Sequence, residues 1–165
     1  MSNRFRVYTA DDVAGVEMGG ALKNVIAIAV GMCDGLGFGD NTRAALITRG
    51  LAEMTRLGVA YGAQPATFAG LSGLGDLIVT CTSRLSRNRN VGERLGKGES
   101  LTEVTASMKQ VAEGVTNCVT ARELARKKGV DVPIIDEVHA ILYEGRKPEE
   151  VLDLFMARSA KRERA

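Results

Sequence analysis

A chain of 165 residues, 45% of them hydrophobic and 25% charged, has the balance of one globular domain with a real core and too little length for two full domains. Basic residues number 22 against 20 acidic, for a net charge of +2; that excludes the large basic excess of a dedicated nucleic-acid or polybasic membrane binder, and aromatics at only 4% disfavour single-strand binding by stacking. The three cysteines (Cys33, Cys81, Cys118) form no Cys-x-x-Cys pair and the one histidine is His139, which argues against a disulfide framework or a metal site and for a reducing compartment.

In chain order, Arg4 to Thr9 alternates with period two and predicts a short strand, which would need a neighbour from elsewhere. No signal peptide is visible, and the longest apolar run, Val25 to Cys33, is half of the ~20 residues a membrane span needs, so a cytoplasmic location is expected. Asp11 or Asp12 can cap a helix running to about Cys33. The glycines of 35–39 break it, and Asp40 or Asn41 caps a second helix with the apolar stripe Ala44, Ile47, Leu51, Met54 and Gly58, ending near Gly62. Pro65 opens a short third helix. A loop over 69–75 leads to a helix from Asp76 to about Thr82, and a basic segment from Ser83 forms a helix to Gly96. Thr116 caps a helix ending at Gly129. Pro133 and Pro148 each suit a first helical position, with Gly145 ending the first of those two helices. The expected fold class is all-α, with seven or eight helices.

Three segments carry chemistry. Lys23 sits inside an apolar helix behind Gly19 and Gly20; it is either a snorkelling edge residue or an amine in a pocket, where burial can bring its proton affinity into a useful range. Gly70-Leu71-Ser72-Gly73-Leu74-Gly75-Asp76 places an Asp at a helix start; it is either a cap behind a glycine turn or a carboxylate shown to a ligand. Ser83 to Asn90 clusters hydroxyl, guanidinium and amide groups at a helix N-terminus, either as a solvated basic face or as an anion site. No Gly-x-Gly-x-x-Gly occurs: each of the pairs 35/37, 37/39, 73/75 and 96/98 lacks the third glycine, so no dinucleotide cradle is visible. The Met residues, His139 and the charged tail from Arg158 to Arg164 read as packing and solvated surface.

Taken together, Gly15 to Ala27, Leu71-Ser72-Gly73-Leu74-Gly75-Asp76-Leu77, Thr80 to Arg84 with Ser86-Arg87-Asn88, and Val111-Ala112-Glu113-Gly114 resemble the bacterial-type NAD(P)-dependent glycerol-3-phosphate dehydrogenase family, over about Tyr8 to Phe155. The resemblance covers that family's C-terminal domain only, a compact multi-helix domain of the kind in 6-phosphogluconate-dehydrogenase-like enzymes. It implies that residues 1–10 are a start segment and the leftover strand of a missing dinucleotide-binding domain, and 11–165 the helical substrate-binding and catalytic domain. It implies interconversion of sn-glycerol 3-phosphate and dihydroxyacetone phosphate with NAD or NADP, bound mainly by the missing domain, in glycerophospholipid synthesis. By resemblance Lys23 is the general acid/base, Lys23, Asp76, Ser86, Arg87 and Asn88 bind substrate, and Arg87, Val111 and Glu113 touch the cofactor. The implied partners are those two phosphates, with no nucleic acid or membrane and with a homodimer allowed. Two alternatives stand beside this: a related dehydrogenase acting on another phosphorylated hydroxy compound, and a non-catalytic dimerisation module.

Overall fold

The computed structural model describes residues 4–150. Eight α-helices are found there: α1 (Val13–Gly35), α2 (Asp40–Ala60), α3 (Pro65–Ala69), α4 (Asp76–Thr82), α5 (Arg87–Gly96), α6 (Leu101–Ala106), α7 (Glu113–Lys128) and α8 (Pro133–Tyr143), with a π-helical turn over Leu71–Gly75 between α3 and α4. Residues 148–150 are helical from Pro148, and the residues after them, the charged tail included, lie outside the described residues. The chain is all-α. The strand expected over 4–9 is not found among the described residues: Phe5 holds a single β-bridge position, and the residues after it are exposed and irregular.

The core is organised around α1, which packs against α2, α3, α4, α5, α7, α8 and the π turn. A helix surrounded in this way must be apolar on all sides, and Val25 to Met32 are all buried. Among the described residues it is the one helix long and apolar enough to cross a membrane, with 56% of its most apolar window buried inside the domain. Asp12 caps it, accepting from the Gly15 N–H at 2.9 Å, and also accepts from Thr67 Oγ1 at 2.6 Å, which ties the start of α1 to α3.

The closest packing is between α1 and α5. A Cβ on Gly92 would meet Ile28 O at 2.0 Å and one on Gly96 would meet Met32 O at 2.3 Å; from the other side, Gly31 would meet Arg89 O at 2.1 Å and Gly35 would meet Glu93 O at 2.2 Å. Each helix thus carries a pair of glycines four residues apart, and the two backbones touch. The contacts 28/92 and 32/96 advance together, so α5 runs parallel to α1.

Two helices take their N-terminal caps from distant side chains. Ala112, at the head of α7, has no capping side chain; the Gly114 N–H donates instead to Asn88 Oδ1 at 2.8 Å. Val132, at the head of α8, has none either, and the Ile134 N–H donates to Glu53 Oε1 at 2.8 Å. This corrects the expected cap at Thr116, which lies inside α7. On α2 the buried face is Leu46, Gly50, Glu53, Met54, Leu57 and Gly58, while Ala44 of the expected stripe is exposed. Helix α6, absent from the expected elements, starts with a capping box in which Glu103 Oε2 accepts from the Ser100 N–H at 2.8 Å.

Glu53 is 2% exposed. Burial raises its carboxyl to about 7, against the lowering effect of the Ile134 and Ile135 N–H groups and the Arg56 charge. The folded state therefore holds this proton more tightly than the unfolded one. The associated stability is fully present below about pH 4.5, the ordinary value, and is lost as pH rises to about 7. We expect the stability difference between the wild type and Glu53→Gln to shift against the wild type by about 1–3 kcal/mol between pH 5 and pH 8. Urea unfolding at the two pH values checks this, and an unchanged difference would contradict it.

The thiols of Cys33, Cys81 and Cys118 are buried and free. Burial pushes them up to about 11, 12 and 12 respectively, far from the range of a reactive or metal-binding thiolate.

Candidate active site

Lys23 lies midway along α1 with a side chain 18% exposed. It does not extend freely to solvent: its Nζ donates to Asp76 Oδ2, from 53 residues away. Asp76 is the first residue of α4, and the segment expected as a loop before it is the π turn, closed by the Gly75 N–H donating to Gly70 O at 3.1 Å. Gly19 permits this approach, since a Cβ there would meet Ser72 O at 2.8 Å, whereas nothing lies within 4 Å of a Cβ on Gly20. The capping alternative for Asp76 does not hold. No side chain caps α4, and the carboxylate faces Lys23 on one oxygen and accepts from Thr80 Oγ1 at 3.3 Å on the other.

The basic segment starts its helix later than Ser83. Ser86 is the N-cap of α5, accepting from the Arg89 N–H at 3.2 Å, and Ser83 instead ends α4. Arg87 is exposed, and its Nη1 donates to Gln110 Oε1 and Val111 O, both at 3.1 Å. Asn88 is 8% exposed. Its Nδ2 donates to Asn24 Oδ1 at 2.9 Å while its Oδ1 holds the Gly114 N–H, which leaves one amide hydrogen for another acceptor. The pair 24/88 precedes the contacts 28/92 and 32/96, so Lys23 and Arg87 are each the residue immediately before a member of the Asn24–Asn88 bond. Lys23 and Asp76 are thus in direct contact. Ser86 and Arg87 are linked to α1 through the Asn24–Asn88 bond next to Lys23, and Asn88 itself is buried.

The family described as NAD-dependent glycerol-3-phosphate dehydrogenase C-terminus matches residues 12–153. The chain belongs to that family. Glycerol-3-phosphate dehydrogenase [NAD(P)+] of Citrifermentans bemidjiense is 60% identical over 159 residues, covering 96% of this chain and 48% of the relative. The enzyme of the same name from Trichlorobacter lovleyi is 62% identical over 163 residues, covering 98% and 48%. The chain thus spans about half the length of the curated relatives it matches. The crystal structure of glycerol-3-phosphate dehydrogenase from Coxiella burnetii superposes with a TM-score of 0.92 at 45% identity, over 96% of this chain and 49% of that one. The Saccharomyces cerevisiae enzyme superposes at 0.85 and 31% identity, over 93% and 45%.

For a domain of this family, the remaining candidates lie on one edge. Val111 is 70% exposed, its carbonyl held by Arg87, and Glu113 is the exposed first residue of α7. An apolar side chain, a guanidinium and a carboxylate on an open edge can touch one side of a larger ligand but cannot enclose it. Sequence reasoning passed over Asn24, Thr80 and Gln110, which hold Asn88, Asp76 and Arg87 respectively. Two of them left a signal. Asn24 is a polar residue heading the apolar run 25–33, and Thr80 lies one helical turn after Asp76.

Proposed function

We propose that this chain is the substrate-binding and catalytic part of an NAD(P)-dependent enzyme that interconverts sn-glycerol 3-phosphate and dihydroxyacetone phosphate, serving glycerophospholipid synthesis in the cytoplasm. The observation that carries this is the Lys23–Asp76 contact, joined to the Ser86–Arg87 turn by the bond between the next residues, Asn24 and Asn88. Lys23 Nζ exchanges a proton with the substrate's C2 hydroxyl. When neutral it accepts that proton; when protonated it returns it to the C2 oxygen. Asp76 orients the amine, and the Thr80 hydroxyl orients Asp76 in turn. The Ser86 hydroxyl, the Arg87 guanidinium and the free Asn88 amide hydrogen lie at the positive end of α5, where an anion such as the substrate phosphate is favoured.

The nicotinamide cofactor, when bound, supplies the hydride acceptor or donor at C2. The donor set here fits an edge contact to such a dinucleotide, through Arg87, Val111 and Glu113, and NAD or NADP would be held mainly by a dinucleotide-binding domain. A homodimer is compatible with this arrangement. The paired Lys23 and Asp76 favour an enzyme over a purely structural module, which has no use for an amine and a carboxylate held together on an accessible surface.

The test is NADH or NADPH oxidation with dihydroxyacetone phosphate, run on this chain alone and on the two-domain enzyme that the proposal implies. We expect turnover from the two-domain enzyme only, because hydride transfer needs the nicotinamide and C2 held roughly 3–3.5 Å apart. Arg87→Lys keeps the charge but loses the planar fork, and should raise KM for the phosphate substrate roughly tenfold. Turnover by the chain alone would contradict the proposal. Equal use of unphosphorylated hydroxy compounds, or an unchanged KM in Arg87→Lys, would remove the phosphate assignment.

A further inference from the structure

Asp34 is the penultimate residue of α1, where the helix dipole disfavours a carboxylate. Its side chain is only 6% exposed, so a charge in this place requires close partners. It has two guanidinium groups. Oδ1 accepts from Arg43 of α2, through Nε at 3.1 Å and Nη2 at 2.7 Å. Oδ2 accepts from Arg89 of α5, through Nε at 2.8 Å and Nη2 at 2.6 Å. Each arginine thus presents its two-pronged edge to one oxygen.

Arg89 has a second task. Its backbone N–H donates to Ser86 Oγ, so the residue that anchors α5 to α1 also completes the cap of the turn carrying Ser86, Arg87 and Asn88. The glycine contact between the helices explains why an anchor is needed. Backbone against backbone brings the helices close but provides few interlocking side chains to resist sliding along the axis. The Asn24–Asn88 bond fixes one end of the contact, and the Asp34–Arg89 pair fixes it again on the next turns of α1.

We propose that Asp34 is a positioning residue for the phosphate end of the site: acting through Arg89, it sets the axial placement of the Ser86–Arg87–Asn88 turn relative to Lys23. This rests on the function proposed above. Arg43 binds the same carboxylate from α2, away from that turn, and serves stability alone.

The experiment compares Asp34→Asn, Arg89→Lys and Arg43→Gln in the two-domain enzyme, measuring KM for glycerol 3-phosphate, kcat and the melting temperature. Asp34→Asn and Arg89→Lys should raise KM roughly 5- to 50-fold with kcat within about threefold of wild type, since a misplaced binding turn weakens substrate binding before chemistry. The constant for competitive inhibition by inorganic phosphate should rise in proportion. Arg43→Gln should lower the melting temperature and leave KM unchanged. Should Asp34→Asn fail to fold, Arg89→Lys, which keeps the charge and loses the fork, decides alone. An unchanged KM in Arg89→Lys, or an equal rise in KM in all three variants, would overturn the proposal. A wild type that does not turn over glycerol 3-phosphate would overturn the functional reading and this proposal with it; a working wild type beside an unaltered Arg89→Lys overturns this proposal alone.

Discussion

Replacing Lys23 by Ala in the two-domain enzyme is expected to lower kcat by about 10²–10⁴, the usual value of a positioned proton-transfer group. KM for glycerol 3-phosphate should change much less, because the groups proposed to hold the phosphate belong to α5. Stability should also change little. The Asp76 partner is 40% exposed, and an ion pair so placed contributes about 0–1 kcal/mol. Lys23→Arg should not restore turnover, since a guanidinium cannot give up its proton at working pH. Steady-state kinetics and thermal unfolding on the three proteins separate these effects. A kcat within tenfold of wild type in Lys23→Ala would place the proton transfer on another group, and a collapsed melting temperature would make the residue structural.

The second large effect is expected at Gly92. An alanine there puts its Cβ 2.0 Å from Ile28 O and 2.8 Å from Met32 N. Both are backbone atoms in the continuously buried stretch 24–33 of α1, so no flexible side chain can give way. We expect a loss of about 3–5 kcal/mol, at the upper end of what single substitutions cost. Gly20→Ala is the counterpart. It lies on the same central helix with nothing within 4 Å of the added carbon, and should stabilise by about 0.5–1 kcal/mol through helix propensity. Urea unfolding of both variants checks the contrast, and a Gly92→Ala protein as stable as wild type would mean that the two helices can separate cheaply.

The helical class and most helix boundaries were legible because local signals carry them: Asp12 before α1, Pro65 and Pro133 at first helical positions, Gly129 at the end of α7. The head of α7 was not legible, since its cap arrives from Asn88 on another helix, and neither was the cap that Glu53 brings to α8. A local pattern has no way to report a partner 26 or 81 residues away. Helix α6 was different, because Ser100 and Glu103 stand at capping-box spacing in the sequence and the signal was simply passed over. The glycine pairs 31/35 and 92/96 were visible too, but a small-residue spacing has no meaning until a second helix is known to face it. At the site, Lys23, Asp76 and the Ser86–Asn88 cluster could be named from residue type and resemblance. That Lys23 and Asp76 touch, and that Asn88 is bonded to Asn24 and to the head of α7, depended on how α1, α4, α5 and α7 pack.

The parallel contact between α1 and α5 also bears on substrate selection. With the amine on one helix and the groups proposed to hold phosphate on the other, the contact between the two backbones sets the span between them. On the proposed function this pair of helices is a ruler, graduated for the distance from a reacting hydroxyl to a phosphate in a three-carbon molecule. A homologue one carbon longer would have to buckle or lose its grip at one end. The π turn and Asp76 meet Lys23 from a separate segment. Discrimination between the alcohol and the ketone would then be tuned from that side, while chain length is measured by the two helices.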